Sequence, residues 1–362
     1  MIKKLKRIAK QLLAIPAVRK SYETANRGVL AVAGSSRLGA TLYSLPGFVT
    51  FNREQFAVLS GRRTYYENLR RSRTSHVELR RNVHRLEKGI LMRPRRDAFA
   101  RDYILETVEF YRTAVSRRPQ DPVLDASEIQ WAHDVLAEYF EIITVPDPVV
   151  DRARALFVSL AHTPTDGTVK PYEHGSITPS GVTYDQLLAL SHQRRSVRWF
   201  LDKPVDRDLI DKALAVGRQS PSACNRLPYE YLVFDDPEMV KKVGAIPFGS
   251  AGYSHQIPTL IVVKGRLDSY FSPRDRHVIY IDAALASMGF MYALETLGLS
   301  SSVINWPDFE PLERTMSKTL GLAPHERIIM LMAVGYADPT GMVAYSQKKD
   351  LDVLRRFNPL DS

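Results

Sequence analysis

The chain has 362 residues, 44% of them hydrophobic and 25% charged, which fits about two globular domains with a sizeable core. Its single Cys excludes a disulfide framework and any multi-Cys zinc site, and fits a reducing, cytoplasmic compartment. The net charge of +10 is unevenly placed: residues 1–101 carry 23 Lys+Arg against 6 Asp+Glu, and the rest carry 27 against 34.

Residues 1–20 read as a basic amphipathic helix. Ile2, Leu5, Ile8, Leu12 and Ile15 recur at helical spacing with Lys3, Lys4, Lys6, Arg7 and Lys10 between them, and Pro16 is expected to end or kink it. The apolar stretch Val29–Phe51 is broken by Ser35, Ser36, Arg37 and several Gly, so it falls short of the roughly 20 apolar residues a membrane span needs. Neither a membrane-spanning helix nor a cleavable secretory signal is expected. Within this stretch, VLAVAGSSRLGAT spaces Gly34, Gly39 and Thr41 like a phosphate-binding P-loop. Ala40 stands where that loop needs its Lys, which leaves a packing or flexible loop.

Helical patterns dominate from about 64 to 161. Val83, Leu86 and Ile90 share a face, and the segment stops between Gly89 and Pro94. Asp97 is placed to cap a next helix with Phe99, Ile104, Val108 and Tyr111 on its apolar face. A third helix runs from Ser127 through Ile129, Leu136, Phe140 and Ile143. A fourth opens with Asp147 as N-cap and Pro148 at the first helical position. Residues 162–182 have the Pro, Gly, Thr and Ser density of a linker. The expected organisation is a basic segment 1–60, a helical region 61–161, a linker 162–182 and a second domain 183–362.

After the linker, Thr183 and Gln186 form a capping box. Strands are expected at Tyr229–Phe234, Thr259–Val263, Ser302–Ile304 and Ile328–Val334, alternating with helices over 206–219, 237–243, 274–297 and 309–320. This is an α+β or α/β pattern. Three segments invite chemistry. Arg194, Arg195, Ser196 and Arg198 put three guanidiniums and a hydroxyl within five residues, a set that suits a phosphate monoester and equally a solvated basic turn. Ser220-Pro221-Ser222-Ala223-Cys224-Asn225 offers small residues where a flat ring can approach the backbone, or an ordinary loop. Leu297-Gly298-Leu299 joins a long helix to a strand, with Gly298 as the helix C-cap.

The order and spacing of RRSVRWF at 194–200, PVDRDLIDKALAVGRQSPSACN at 204–225, PYEYLVF at 228–234, ALETLGLSSSVIN at 293–305 and IIMLMAVGYAD at 328–338 resemble the nitroreductase family of FMN-dependent oxidoreductases over about residues 184–355. The resemblance implies an α+β fold and a homodimer with two FMN sites, each built from both chains. It places Arg194, Arg195 and Ser196 on the FMN phosphate and ribityl chain, and Arg198 by the pyrimidine edge, where negative charge develops on reduction. Pro221, Ser222 and Asn225 match the loop that reaches the flavin from the partner. Val303, Ile304 and Asn305 match the stretch whose backbone N–H lies near flavin N5, and either Lys348 or Lys349 matches a basic phosphate contact. Two departures, Leu227-Pro228-Tyr229 and Asn305-Trp306, bear on the substrate face.

The resemblance further implies hydride transfer from NADH or NADPH through the flavin to a small-molecule acceptor, such as a nitro compound, a quinone or a biosynthetic intermediate. No protein nucleophile is then needed, and none is expected. The alternative is a flavin-binding protein without general reductase activity that acts as a regulatory or docking partner. His84-Arg85-Leu86-Glu87-Lys88-Gly89 is similar to amino-terminal extensions of nitroreductase-like proteins, and equally fits a solvated helix face with intrahelical ion pairs. Cys224 is expected to be a small filler or a redox group. The scattered His give no metal-ligand spacing, so no metal site is expected. No nucleic-acid motif accompanies the basic quarter, so nucleic acid is not an expected partner. Residues 1–20 fit contact with an anionic membrane or polyanion, hence a cytoplasmic, membrane-peripheral placement.

Overall fold

The structure, a computed structural model, describes residues 15–44, 48–71, 77–117, 126–161 and 167–358. It divides into two compact units: residues 1–56 with 308–310, and residues 57–307 with 311–362. The expected basic periodicity over residues 2–12 lies outside the described residues.

In the first unit, helix α1 (Pro16–Ala33) carries Pro16 at its first position. Pro16 opens this helix, where a missing N–H is harmless, and the helix expected before it lies outside the described residues. Gly34 caps α1, and α2 (Arg37–Ser44) follows at once. Gly34 thus ends one helix and Gly39 lies inside the next, and the segment before them is helix, not the strand a phosphate loop requires. Helix α3 (Phe48–Arg71) starts in this unit, where Arg53 pairs with Asp308 and, at 2.8 Å, with Glu310.

The second unit opens with the end of α3 and four helices, α4 (Val77–Ile90), α5 (Ile104–Arg117), α6 (Ala126–Ile142) and α7 (Pro148–Val158). They share one core, in which Leu86, Ile104, Val108, Tyr111, Leu136 and Tyr139 are fully buried. Asp147 caps α7 by accepting from Val149 N at 2.8 Å. Asp97 does not cap α5, which begins seven residues later at Ile104. Phe99 instead packs so closely on Gly89 that a Cβ there would lie 2.2 Å from its ring, and Ala100 turns with φ 63°. That close approach ends one helix and delays the next. The stretch His84–Gly89 is packed: Leu86 is fully buried and Glu87 accepts from Trp131 Nε1 at 2.8 Å. From the segment expected as a linker, Val169 N donates to Asp134 at 2.8 Å and Lys170 pairs with Glu138 at 2.7 Å.

Beyond it, α8 (Tyr184–Gln193) begins with the full Thr183–Gln186 capping box. Then come α9 (Arg207–Gly217), β1 (Tyr229–Phe234), α10 (Pro237–Gly244), β2 (Thr259–Arg266), α11 (Val278–Thr296), β3 (Ser300–Asn305), α12 (Glu310–Leu320), β4 (Glu326–Gly335) and α13 (Leu351–Leu354). The four strands form an antiparallel sheet in the order β1-β2-β4-β3. Alternation sorts the side chains. Leu260, Val262, Leu331 and Ala333 face the layer of α10 and α12, while Ile261, Val263, Met332 and Val334 face α9 and α11. With both faces covered, β2 and β4 read as near-continuous apolar runs. The sequence pattern started α11 at residue 274; Pro273–Asp275 is a separate 3-10 turn capped by Ser272. By length and apolarity the span Pro273–Thr296 passes as a membrane helix, but half of it is buried within the chain, as befits a core helix. Gly298 closes α11 with φ 76°, and Leu299 N donates to Leu294 O at 2.9 Å, the bond that ties off a helix whose next residue is left-handed.

Candidate functional site

The end of α8, the start of the next strand-like segment and the C-terminal arm enclose a cavity of about 540 Å³. Arg194 is the C-cap of α8 and, no longer helical, turns its chain along the sheet. Val197 N donates to Ser301 O at 3.0 Å, which pins the segment beside β3 and leaves Ser196 at the cavity. Gln256 fixes the far end: its Oε1 accepts from Phe200 N at 2.8 Å while its Nε2 donates to Arg198 O. Arg194, Arg195, Ser196, Arg198 and Lys348 all line the cavity, joined by Met288 and Tyr292 of α11 and by Tyr345 and Gln347 of the arm.

The electrostatics of this wall are lopsided. Among the described residues, none of Arg194, Arg195, Arg198 or Lys348 forms an ion pair with a carboxylate. Arg195 donates to Arg194 O at 3.0 Å and Arg198 to Ser196 O at 3.5 Å, both backbone oxygens. The carboxyl that feels Arg194 is Glu295 on α11. Burial pushes its carboxyl above the usual range, against the pull of Gln193, which donates to it at 3.4 Å, of Arg194 and of Ser300. A carboxyl displaced that way is a poor counter-ion. Four cations and a hydroxyl around one cavity therefore suit an anion with several oxygens, and a phosphate monoester meets that description. A second cavity of about 750 Å³ between Phe200–Pro204 and α10 mixes Lys203 and Lys241 with Asp235 and Glu238 and has no such bias.

Of the residues singled out from the sequence, the fold brings five together: Arg194, Arg195, Ser196, Arg198 and Lys348. Lys348 is in the cavity wall and Lys349 is not. Pro221, Ser222 and Asn225 sit on the loop after α9 and do not reach this cavity from within one chain. On β3, Ile304 points into the core at 1% exposure while Val303 and Asn305 face outward, so only the backbone of Ile304 is on offer. Trp306 is buried, and its Nε1 donates to Glu313 at 2.6 Å. Cys224 is a half-buried free thiol with φ 53°. No group of metal-ligating side chains occurs among the described residues. Sequence reasoning missed Met288 and Tyr292, whose i,i+4 spacing on an apolar helix gave no hint of a cavity, and Gln256, a lone amide in a turn.

The fold is an α+β domain whose cavity wall gathers Arg194, Arg195, Ser196, Arg198 and Lys348. The Nitroreductase family's sequence model matches residues 192–251 and 246–336, and the C-terminal half of the chain carries a nitroreductase-family domain. The chain is similar to an NADH dehydrogenase of Thermus thermophilus, 27% identical over 195 residues that are 45% of this chain and 93% of that protein. It is also similar to iodotyrosine deiodinase 1 of Pongo abelii, 24% identical over 191 residues, 45% of this chain and 65% of that protein. A solved FMN-dependent nitroreductase of Clostridium difficile R20291 matches with 21% identity and a TM-score of 0.41, over 47% of this chain and 98% of that one.

Proposed function

We propose that this domain binds FMN and works as an oxidoreductase that takes electrons from NADH or NADPH and passes them to a small organic acceptor. The observation that carries the reading is the 540 Å³ cavity whose wall gathers Arg194, Arg195, Arg198 and Lys348 with no carboxylate paired to them. Arg194, Arg195 and Lys348 hold the phosphate, Ser196 donates to its oxygens or to the ribityl chain, and Arg198 sets a fixed positive charge beside the ring. Bound there, FMN supplies a carrier for two electrons between donor and acceptor. The chain's own residues do the rest: β3 offers backbone groups from Val303 to Asn305, and the loop Pro221–Asn225 of one protomer completes the site of its partner in a homodimer. No side-chain nucleophile is required, because holding the reacting atoms in alignment is the larger part of such catalysis.

The test is direct. The purified protein is expected to be yellow, or to take up added FMN, and NADH or NADPH is expected to bleach the flavin absorbance. Colourless protein that does not take up FMN would sink the proposal. Flavin that binds and is not bleached by either nucleotide would mark the alternative, a flavin-binding protein without reductase activity. The proposal extends to placement: exposed Val18, Tyr22 and Val29 beside Arg19, Lys20 and Arg27 on α1, continuing from a basic residue 1–20 segment, suit an anionic membrane surface in the cytoplasm. Sedimentation with anionic liposomes should fall when residues 1–20 are removed, and equal sedimentation of both forms would refute it.

A further inference from the structure

The loop after α9 is held in an unusual shape. Cys224, Asn225 and Leu227 have φ of 53°, 52° and 49°, a left-handed conformation that residues with a Cβ avoid unless their surroundings impose it. Restraints from the domain itself include Ala223 N donating to Asp282 on α11 at 2.9 Å, Leu227 N donating to Ser222 Oγ at 3.1 Å, and Asn225 N and Arg226 N donating to Ser222 O and Ala223 O at 3.0 and 3.3 Å. The next comes from the helical segment. Arg80 on α4 donates through Nε to the Asn225 carbonyl at 2.8 Å. Its Nη1 pairs with Glu128 at 3.1 Å, and its guanidinium lies 5.5 Å from the Trp131 ring. Glu128 and Trp131 both belong to α6, so one side chain forks between the helical core and the loop. A planar guanidinium can serve two acceptors in fixed geometry, which an ammonium cannot.

We propose that Arg80 is a positioning residue, tying the helical segment 77–158 to the loop Pro221–Leu227 and holding that loop in the shape it presents to FMN. This rests on the FMN reading above and assigns the helical segment a task within it. The tether acts on backbone: with the Asn225 carbonyl fixed, the left-handed run cannot relax, and its small side chains keep one approach to the ring.

The experiment compares wild type, Arg80→Ala, Arg80→Lys and, as a control, Arg101→Ala, whose exposed pair with Asp147 does not touch the loop. Hydrogen–deuterium exchange over residues 220–228 is measured on flavin-free protein, and FMN affinity by quenching of flavin fluorescence. Loss of one charge-assisted bond should speed loop exchange and weaken FMN binding by about tenfold each in Arg80→Ala. Arg80→Lys should recover part of both, and Arg101→Ala should match wild type. Unchanged exchange over 220–228 in Arg80→Ala, or faster loop exchange with unchanged FMN affinity, would overturn the proposal. If Arg80→Ala does not fold, Arg80→Lys alone decides, because a shorter side chain ending in an ammonium does not reproduce the planar fork between Asn225 and Glu128, and unchanged loop exchange in it counts against the tether. Wild-type protein that never binds FMN would sink the flavin reading, a failure the exchange data keep separate.

Discussion

The helical segment 77–158 and the cavity wall at 191–198 treat their arginines in opposite ways. In the helical segment Arg80 pairs with Glu128, Arg81 with Glu78, Arg101 with Asp147 and Arg112 with Glu109, while Arg154 donates to the Phe140 and Ile143 carbonyls. In the cavity wall Arg194, Arg195 and Arg198 face a hollow with Lys348 and no carboxylate partner. Three of the paired arginines, Arg80, Arg81 and Arg101, lie in the strongly basic residues 1–101, and the cavity wall lies in the part of the chain where acids outnumber bases. Net charge is therefore a poor guide to an anion site; what matters is whether each cation is answered within hydrogen-bonding distance.

The sharpest way to break this comparison is to remove cations from the wall. The double substitution Arg195→Ala with Lys348→Ala should weaken FMN binding by about a hundredfold or more, since each charge-assisted bond is worth about 1.5–3 kcal/mol. Fluorescence titration measures it, and a change below about threefold would show that the unpaired cations are not the phosphate seat. Next in size is the helical core. Leu136 is fully buried against Leu86, Val108 and Tyr139, so Leu136→Ala should cost about 2–5 kcal/mol in urea unfolding. A loss under about 1 kcal/mol would mean that this core is looser than its burial indicates.

Much of the fold was legible because it is written in local physics. Thr183 with Gln186, Asp147 with Pro148, and Gly298 after α11 all act where the sequence placed them, since caps depend on backbone groups a few residues away. The strands of the sheet were legible from apolar runs bounded by turns. Asp97 misled because the helix start was decided by Phe99 lying on Gly89, a contact between elements that no local pattern records. At the site, Arg194 to Arg198 could be found as a cluster within five residues. The place of Lys348 in the cavity wall depends on the path of the C-terminal arm, and Arg80 was hidden because its partner Asn225 is 145 residues away.

A smaller effect probes the acid that fails to answer Arg194. Glu295 is 8% exposed, and burial raises its carboxyl above the ordinary range. A raised carboxyl means that the folded state binds its proton more tightly than the unfolded chain does. Carrying the charge therefore costs stability at neutral pH, and the cost disappears as pH falls below the ordinary carboxyl range of about 4. Glu295→Gln, whose amide oxygen can still accept from Gln193, should melt slightly higher than wild type at about pH 7, by on the order of a few degrees. That difference should shrink towards zero near pH 4. A variant that melts lower at neutral pH would show that Glu295 works as the counter-ion of Arg194 after all, and the contrast between the two regions would weaken.

The smallest expected effect is also the cleanest control on the helical side. Arg112 and Glu109 pair three residues apart on α5, with side chains 51% and 39% exposed. An exposed pair of this kind is worth at most about 0.5 kcal/mol, because water screens it and two long side chains must be held still. Arg112→Ala should therefore leave urea stability within about 0.5 kcal/mol of wild type and leave FMN affinity unchanged. Both halves matter to the comparison. A large stability loss would mean that the paired arginines hold the helices together, giving them a structural weight that exposure argues against. A loss of FMN affinity would mean that distant positive charge, and not local uncompensated charge, draws the anion, and the same loss would then be expected for any arginine in the basic quarter.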